Sequence, residues 1–479
     1  MMGISTGKQY IDRINKRNTN IWIDGNRITG NISEHPAFKG VMASQAKLYD
    51  LQHKQELKDL MTFESPKSGN LIGTSFLDPK TKEDLEKRRL MIQEWAKAHA
   101  GMMGRSPDYM NTILMVLNAA SDLFSVEDDQ CAENMRNYYE YIRENDLSLT
   151  HVFVKPQNDR SKKGVASENI AARMIKETEE GIIINGSRIL ATQAGMTDEI
   201  LVYPIGSNAN DDAFAYAFAI PCDTPGLTFI CRESFAYKDS HYDHPLGSRY
   251  DEMDAVVLFD DVLVPWERVF LHGNLVVNSL LYTQSHFFEH IAHQVVSKNV
   301  IKTEFILGTI ELIIKSINIS EYQHIKEKFS EVAIALETMK GFLYQSEKNA
   351  KINQWGSMMP DPNPLLAAVN YYPKIYPRLM EIIQLMSASG LVAIPNEQDF
   401  QADIGDDLKK HLQSANQDGY DKVKLFRLAW DLSMSAFGSR QQLYERFFFG
   451  DPVRLANQLY TDYKRESSIN LVKEFLEQD

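Results

Sequence analysis

The chain has 479 residues, 43% hydrophobic and 24% charged, the balance of a folded globular protein whose length fits about three domains. It carries 51 basic and 65 acidic residues, a net charge of −14. That excludes a general nucleic-acid binder, which needs clustered Lys and Arg to neutralise phosphates, but leaves open an anionic small molecule held by one or two local arginines.

No stretch approaches 18 uninterrupted apolar residues, so no membrane span is expected. The start, MMGISTGKQYIDRINKR, lacks the apolar run of a secretory signal, and its Met-Gly pair at the second and third positions argues against myristoylation. Cys131, Cys222 and Cys231 are odd in number and show no CxxC spacing, which points to a reducing cytoplasmic setting with buried thiols.

Three regions follow from periodicity. Residues 1–146 read as mostly helical. Ser5 or Thr6 caps a first helix carrying Tyr10, Ile11 and Ile14, and an Asp24-Gly25 turn marks a small hairpin from Ile21 to Ile28. A longer helix starts near Thr81, with Glu83 and Asp84 in its first turn and an apolar stripe of Leu85, Ile92, Trp95, Ala96 and Met103. Another apolar helix spans roughly 108–124.

Residues 147–270 read as strands. Leu147, Leu149, His151 and Phe153 share one face of the first. Ile182–Ile184, Asn185-Gly186 and Arg188–Leu190 carry a hairpin signal. Runs at 199–205, 213–220, 227–231 and 255–259 follow, with Asp260-Asp261 turning into Val262–Val264. Short strands at this spacing predict a barrel or sandwich.

Residues 271–479 return to long helices, expected at 286–317, 322–351, 377–391 and 420–449. A proline-rich loop lies at 356–364, and a linker with a short helix at 394–419. Long helices with short connections predict an antiparallel bundle. The order of helices, strands and bundle excludes a doubly wound sheet, which alternates strand and helix. No GxGxxG opens a helix after a strand, and GxSxG, HExxH and P-loop patterns are absent.

Few residues stand out chemically. The pairs His241/His244 and His290/His293 each lack an evident third metal ligand, so no metal is assigned. Arg105 and Tyr109 straddle a helix start at Pro107, and an arginine fork there suits a carboxylate, phenolate or other oxyanion; on spacing alone a surface Arg beside a loop Tyr is the favoured reading. His151 ends a strand just ahead of the polar loop Lys155–Arg160, as in a ligand rim or as a satisfied core histidine. Gly450 and Pro452 mark a helix stop, with Arg454 placed to meet a nucleotide-like anion.

Taken together, these segments resemble the oxygenase component of two-component 4-hydroxyphenylacetate 3-monooxygenases. The matching pieces are Gly104–Tyr109, Thr150-His151 through Pro156–Arg160, Ala191-Thr192, His244–Val257, Phe259–Arg268 and Gly450–Arg454, in order over nearly the whole chain. The resemblance implies an α+β multidomain, acyl-CoA dehydrogenase-like fold: an N-terminal helical domain, a middle β-barrel and a C-terminal four-helix bundle that carries a homotetramer.

It also implies FAD, arriving as diffusible FADH2 from a separate NADH:flavin reductase, in a groove between barrel and bundle. His151, Val152, Phe153, Gln157, Asn158, Asp159, Arg160 and Thr192 match flavin-contacting positions. So do Phe449, Gly450, Asp451, Pro452 and Arg454. Arg105, Tyr109 and His151 match the catalytic trio around the phenolic hydroxyl. Ser207 matches a contact to the substrate carboxylate, and Asn208 its neighbour, where the family has a familiar threonine. The loop Gly206–Asp212 departs from the family pattern, which keeps another phenol, a chlorophenol or an amine open as substrate.

The implied reaction is ortho-hydroxylation of a phenol such as 4-hydroxyphenylacetate, with O2, through a flavin C4a-hydroperoxide. The related 4-hydroxybutyryl-CoA dehydratases need three Cys and one His for an iron–sulfur cluster. No Cys lies in 96–109 or around His290 and His293, which removes that branch. A non-catalytic flavin-binding protein is the remaining reading of another class.

Overall fold

The structure is a computed structural model that describes residues 3–126, 128–157, 170–204, 212–236 and 240–478. The N-terminal region begins with α1 (Gly7–Lys16), closed by a capping box in which Thr6 takes the amide of Gln9. The hairpin β1 (Ile21–Ile23) and β2 (Asn26–Arg27) follows, then α2 (Pro36–Leu51). Next come α3 (Lys82–Ala98), capped by Thr81 with Asp84, and α4 (Pro107–Ala119), which starts on Pro107 as expected. The apolar run to residue 124 ends in a 3-10 turn, and α5 (Asp129–Asn145) completes the region.

The middle strands are β3 (Leu149–Val152), β4 (Arg173–Glu177), β5 (Gly181–Thr192), β6 (Glu199–Val202), β7 (Tyr216–Pro221), β8 (Leu227–Cys231), β9 (Asp254–Pro265) and β10 (Val269–His272). They form two sheets, ordered β2-β1-β8-β9-β5-β4 and β10-β7-β6-β3. The bridge between Val154 and Ile189 joins them. The N-terminal hairpin therefore belongs to the barrel: β1 runs parallel to β8, pairing Ile21 with Phe229.

Two expected turns are not turns. Asn185-Gly186 and Asp260-Asp261 lie inside the continuous strands β5 and β9, which pair antiparallel along their length with a register shift between Phe259 and Val262. Gly186 has φ +118° and Asp261 φ +49°. These residues supply the unusual backbone of a bulge rather than of a hairpin, and Asn185 Nδ2 donates to Asp261 Oδ1 across it at 2.8 Å. A side chain at 186 would also collide with the carbonyl of Ala171.

The C-terminal region holds α6 (Leu275–Gln284), α7 (Phe287–Ser316), α8 (Gln323–Lys348), α9 (Pro362–Ser387), α10 (Gly419–Ser433), α11 (Ala436–Phe447), α12 (Pro452–Asp462) and α13 (Glu466–Leu476). The helix expected from Pro377 starts instead at Pro362 and runs through Pro373 and Pro377. Leu365, Val369, Tyr372, Tyr376 and Leu379 are buried in one continuous face, so packing outweighs the ~3 kcal/mol cost of an internal proline. The helix expected at 420–449 breaks in two. Ser435 caps α11 by taking the amide of Gly438, where a Cβ would strike the carbonyl of Leu432. The expected linker at 394–419 holds two short helices, Glu397–Gln401 and Gly405–His411.

The helices α7 to α11 pack as a bundle, and α3 and α4 lie against α7. One core fills the barrel under α1, α2 and α3; a second fills the bundle; a third lies between α4, α5, β3, β6 and the start of α7. Cys222 and Cys231 are buried, and burial pushes both thiols up to about 12, so they serve as packing. Among the described residues no helix is long and apolar enough to cross a membrane.

Candidate active site

The third core meets the bundle at Phe449, and there the loop between α3 and α4 reaches α11. Gly104 is required at this contact, because a Cβ would fall 2.3 Å from the Tyr444 hydroxyl. The loop is pinned from both sides. The Glu252 carboxylate accepts the amides of Gly104 at 2.6 Å and Arg105 at 2.7 Å, and Gln193 Nε2 donates to the same group at 3.0 Å. Gln441 Nε2 of α11 donates to the Met102 carbonyl at 2.9 Å.

The pinned loop buries Arg105 among aromatic rings. Its guanidinium carbon lies 4.0 Å from the ring centre of Tyr109, 4.3 Å from that of Phe448 and 5.4 Å from that of Tyr444. Cation–π contacts hold its position without neutralising it. The Tyr109 ring is 5.5 Å from His151, which in turn is 5.2 Å from Phe153, and Phe448 meets Tyr109 edge-on at 5.7 Å. Arg105, Tyr109 and His151 thus converge, all less than a tenth exposed.

Electrostatics sharpen their roles. Burial and the nearby Arg105 push the His151 imidazole well below its usual range, so it is neutral at physiological pH. Its unperturbed value near 6.5 suggested a base or an acceptor; the structure favours the acceptor. Burial raises the Tyr109 hydroxyl and keeps it protonated. Arg105 Nε, His151 Nδ1, Tyr203 Oη and Tyr444 Oη have no hydrogen-bond partner among the described residues. Those of Arg105, His151 and Tyr444 lie on side chains grouped around the Tyr109 ring, an arrangement suited to a ligand's polar atoms.

The other expected residues fall around this centre. Val152 is buried within β3, whereas Phe153 is 37% exposed, an apolar ring left open beside His151. Thr192 ends β5, donating to Asp254 Oδ1 at 2.9 Å and accepting at its carbonyl from Thr150 Oγ1 at 2.6 Å. Phe449 packs on Phe448 and Phe288. Gly450 has φ +97°, the expected helix-ending geometry, but Asp451 and Pro452 then start α12 instead of only stopping α11. Arg454 donates to the Phe449 carbonyl. Gln157 is exposed at the end of the described segment. Asn158, Asp159, Arg160, Ser207 and Asn208 lie outside the described residues.

Several contributors carried no expected role. Asp254 receives Arg440 through Nε at 3.0 Å and Nη2 at 2.7 Å, and Arg232 at 3.2 Å, tying barrel to bundle beside Thr192. Arg440, Tyr444 and Phe448 recur every four residues, the spacing of one helix face. Three carboxylates at 251, 252 and 254, entering an apolar strand, likewise demand buried partners. Beneath the site, Glu445 of α11 bonds Lys298 at 3.0 Å and Lys302 at 2.7 Å.

Of the histidine pairs, His293 bonds Glu347 at 2.8 Å and His241 bonds Ser248 at 2.8 Å. Among the described residues no three His, Cys, Asp or Glu side chains are grouped to hold a metal.

Residues 6–271 match the family model described as 4-hydroxyphenylacetate 3-hydroxylase N terminal, and residues 279–477 the model described as 4-hydroxyphenylacetate 3-hydroxylase C terminal. The chain belongs to the 4-hydroxyphenylacetate 3-hydroxylase family. One relative in this family, the 4-hydroxyphenylacetate 3-monooxygenase oxygenase component of Geobacillus sp. (strain PA-9), is 48% identical over 482 residues, covering 99% of this chain and 97% of its own length. A solved 4-hydroxyphenylacetate 3-monooxygenase oxygenase component, complexed with FAD and 4-hydroxyphenylacetate, is 43% identical. It superposes with a TM-score of 0.94, covering 99% of this chain and 98% of that one. The hydroxylase fold extends further: an archaeal 4-hydroxybutyryl-CoA dehydratase from N. maritimus, only 18% identical, reaches a TM-score of 0.88 over 99% of this chain and 95% of its own.

Proposed function

We propose that this chain is the oxygenase component of a two-component 4-hydroxyphenylacetate 3-monooxygenase. It would take FADH2 from a separate NADH:flavin reductase and hydroxylate a phenol ortho to its hydroxyl. The observation that carries this reading is the buried Arg105–Tyr109–His151 cluster with its orphaned polar atoms, in a chain of this family.

The residues present fit a flavin. Phe153 and Leu190, 37% and 55% exposed, leave apolar surface near Thr192, and Phe449 and Gly450 offer backbone at the bundle side. His151, Val152, Phe153, Thr192 and the Phe449–Arg454 segment would hold it. Bound there, reduced flavin with O2 supplies an oxygen atom electrophilic enough to attack an electron-rich ring. The chain does the rest. Arg105, held over Tyr109 with its Nε unpaired among the described residues, stabilises the negative charge that grows on the phenolic oxygen. Tyr109, kept protonated, hydrogen-bonds the same oxygen. Neutral His151 accepts a hydrogen bond from the phenolic hydroxyl at Nδ1, raising electron density at the ortho carbon. Phe448 and Phe449 close the apolar side and keep water from the reacting atoms.

Assembly and partners complete the reading. The helix α13 buries no residue in the subunit, and Ile469, Leu471, Val472, Phe475 and Leu476 are all exposed. Such an apolar face fits packing on other copies in a homotetramer. A cytoplasmic location belongs to the same reading; among the described residues no helix is long and apolar enough to cross a membrane.

The deciding assay supplies photoreduced FAD, O2 and a panel of 4-hydroxyphenylacetate, other phenols, chlorophenols and amines. Formation of 3,4-dihydroxyphenylacetate is expected. The variant His151→Ala should lower coupled hydroxylation by ~10²-fold or more. Peroxide as the sole product with every compound would overturn the reading in favour of a non-catalytic flavoprotein.

A further inference from the structure

The parallel pair β3 and β6 sets His151 opposite Leu201 and Val152 opposite Val202, and the amide of Tyr203 continues the ladder to the Val152 carbonyl at 3.3 Å. Side chains alternate along a strand, so Tyr203 shares the face of Leu201 and His151. The cores agree. Val152, Ile200 and Val202 belong to the barrel, whereas Leu201, Tyr203 and Tyr109 belong to the core around the trio. Tyr203 sits two residues beyond the His151 register, about 6.6 Å along the strand at ~3.3 Å per residue. That offset matches the span from a phenolic oxygen to a group on the para position.

The Tyr203 side chain is fixed but unused. Its ring stacks on Phe287 at 6.0 Å and 15° and meets Tyr282 edge-on at 5.9 Å. The Tyr282 hydroxyl is committed to the Pro204 carbonyl at 2.6 Å, so it does not serve Tyr203. The Tyr203 hydroxyl is buried without any partner among the described residues. Burial, with Tyr282 beside it, raises it well above its usual range, so it stays a donor.

We infer that Tyr203 is a specificity residue: its hydroxyl donates a hydrogen bond to an anionic or strongly polar para substituent of the phenol whose hydroxyl rests at Arg105, Tyr109 and His151. The inference rests on the phenol-hydroxylase reading above. A hydroxyl buried with no internal partner discriminates by its waste. A substrate with an acceptor there satisfies it, and one with a methyl group leaves it unpaired.

The test compares the wild type and Tyr203→Phe, both with reduced FAD and O2, on 4-hydroxyphenylacetate and on 4-methylphenol. The ratio of kcat/KM for the acid over the cresol should fall roughly 10- to 100-fold, the worth of a hydrogen bond to a charged group, and the loss should lie in KM rather than kcat. The thermal midpoint of the variant should not fall, because no hydrogen bond to the described residues is removed. An unchanged ratio, or an equal loss on both substrates, would overturn the inference while leaving the functional reading intact. Failure of the wild type to hydroxylate either compound would overturn both.

Discussion

Glu252 holds Arg105 by its backbone, not by its guanidinium: Oε1 accepts the Arg105 amide at 2.7 Å while Oε2 accepts that of Gly104 at 2.6 Å. The carboxylate is fully buried, so the loop carrying Arg105 hangs on an acceptor that water cannot replace. In Glu252→Gln, one acceptor becomes an amide donor facing these N–H groups. Stability should drop by about 1–3 kcal/mol, read by urea unfolding. Coupled hydroxylation should drop by about 10²-fold through displacement of Arg105. Wild-type turnover in this variant would show that the loop keeps its place without the carboxylate.

Three buried histidines make the fold acid-sensitive. Burial, with Lys298 and Lys302 near, pushes His99 down to about 3, and its Nδ1 accepts the Met103 amide at 3.2 Å. Burial lowers His290 and His151 well below their usual range, aided by Arg88 and Arg105 respectively. The unfolded chain protonates all three near ~6.5 while the folded one does not. Their stabilisation is therefore full above ~6.5 and is lost as pH falls, by up to ~1.4 kcal/mol per pH unit for each. Asp108 works the other way. Burial lifts its carboxyl to about 6, so it takes a proton in the folded state first and offsets part of the loss below that pH. The urea midpoint should decline steadily from pH 7 to 5, with a shallower slope in His290→Gln. A flat profile would contradict neutral, buried histidines.

Glu445 anchors α11 to α7 through two lysines, with all three side chains at most 2% exposed. Burial would raise its carboxyl, yet Lys298 and Lys302 hold it at about 2, while burial brings Lys302 down to about 8. Glu445→Leu strands two ammonium groups and should cost about 3–5 kcal/mol. Replacing Lys298 and Lys302 with Met in the same chain should restore most of that, as an apolar triad needs no counter-charge. Denaturant unfolding of the single and triple variants measures both.

Deleting residues 464–479 removes a helix that buries nothing within its own subunit. The shortened chain should keep its far-ultraviolet spectrum and subunit stability while its mass by light scattering falls below that of the full-length assembly. An unchanged oligomer would relieve α13 of any bridging role.

How legible all this was depended on the range of the interaction. Local signals carried well. Thr6 and Thr81 cap their helices, Pro107 opens α4, and Leu85, Ile92, Trp95 and Ala96 of the expected stripe are buried on α3, which ends before Met103. Gly186 and Asp261 misled because a turn and a bulge ask for the same backbone freedom, and only the partner strand decides between them. Pro373 and Pro377 misled because their penalty is local while the burial that overrides it is not. Within the site, Arg105, Tyr109 and His151 came from motif resemblance. Glu252, Arg440 and Tyr444 act on residues far away in sequence, and no spacing rule reaches across such gaps.

The bond from Gln441 to the carbonyl beside the Arg105 loop spans 339 positions. Translation releases the chain N-terminus first, at ~5–20 residues per second, so α11 follows the loop by on the order of 20–70 s. During that interval Arg105, Tyr109 and His151 have no Tyr444 or Phe448 above them. The cluster is thereby completed only when α11 has been made: a chain that stops short of Tyr444 and Phe448 leaves Arg105 without two of the three rings that hold it.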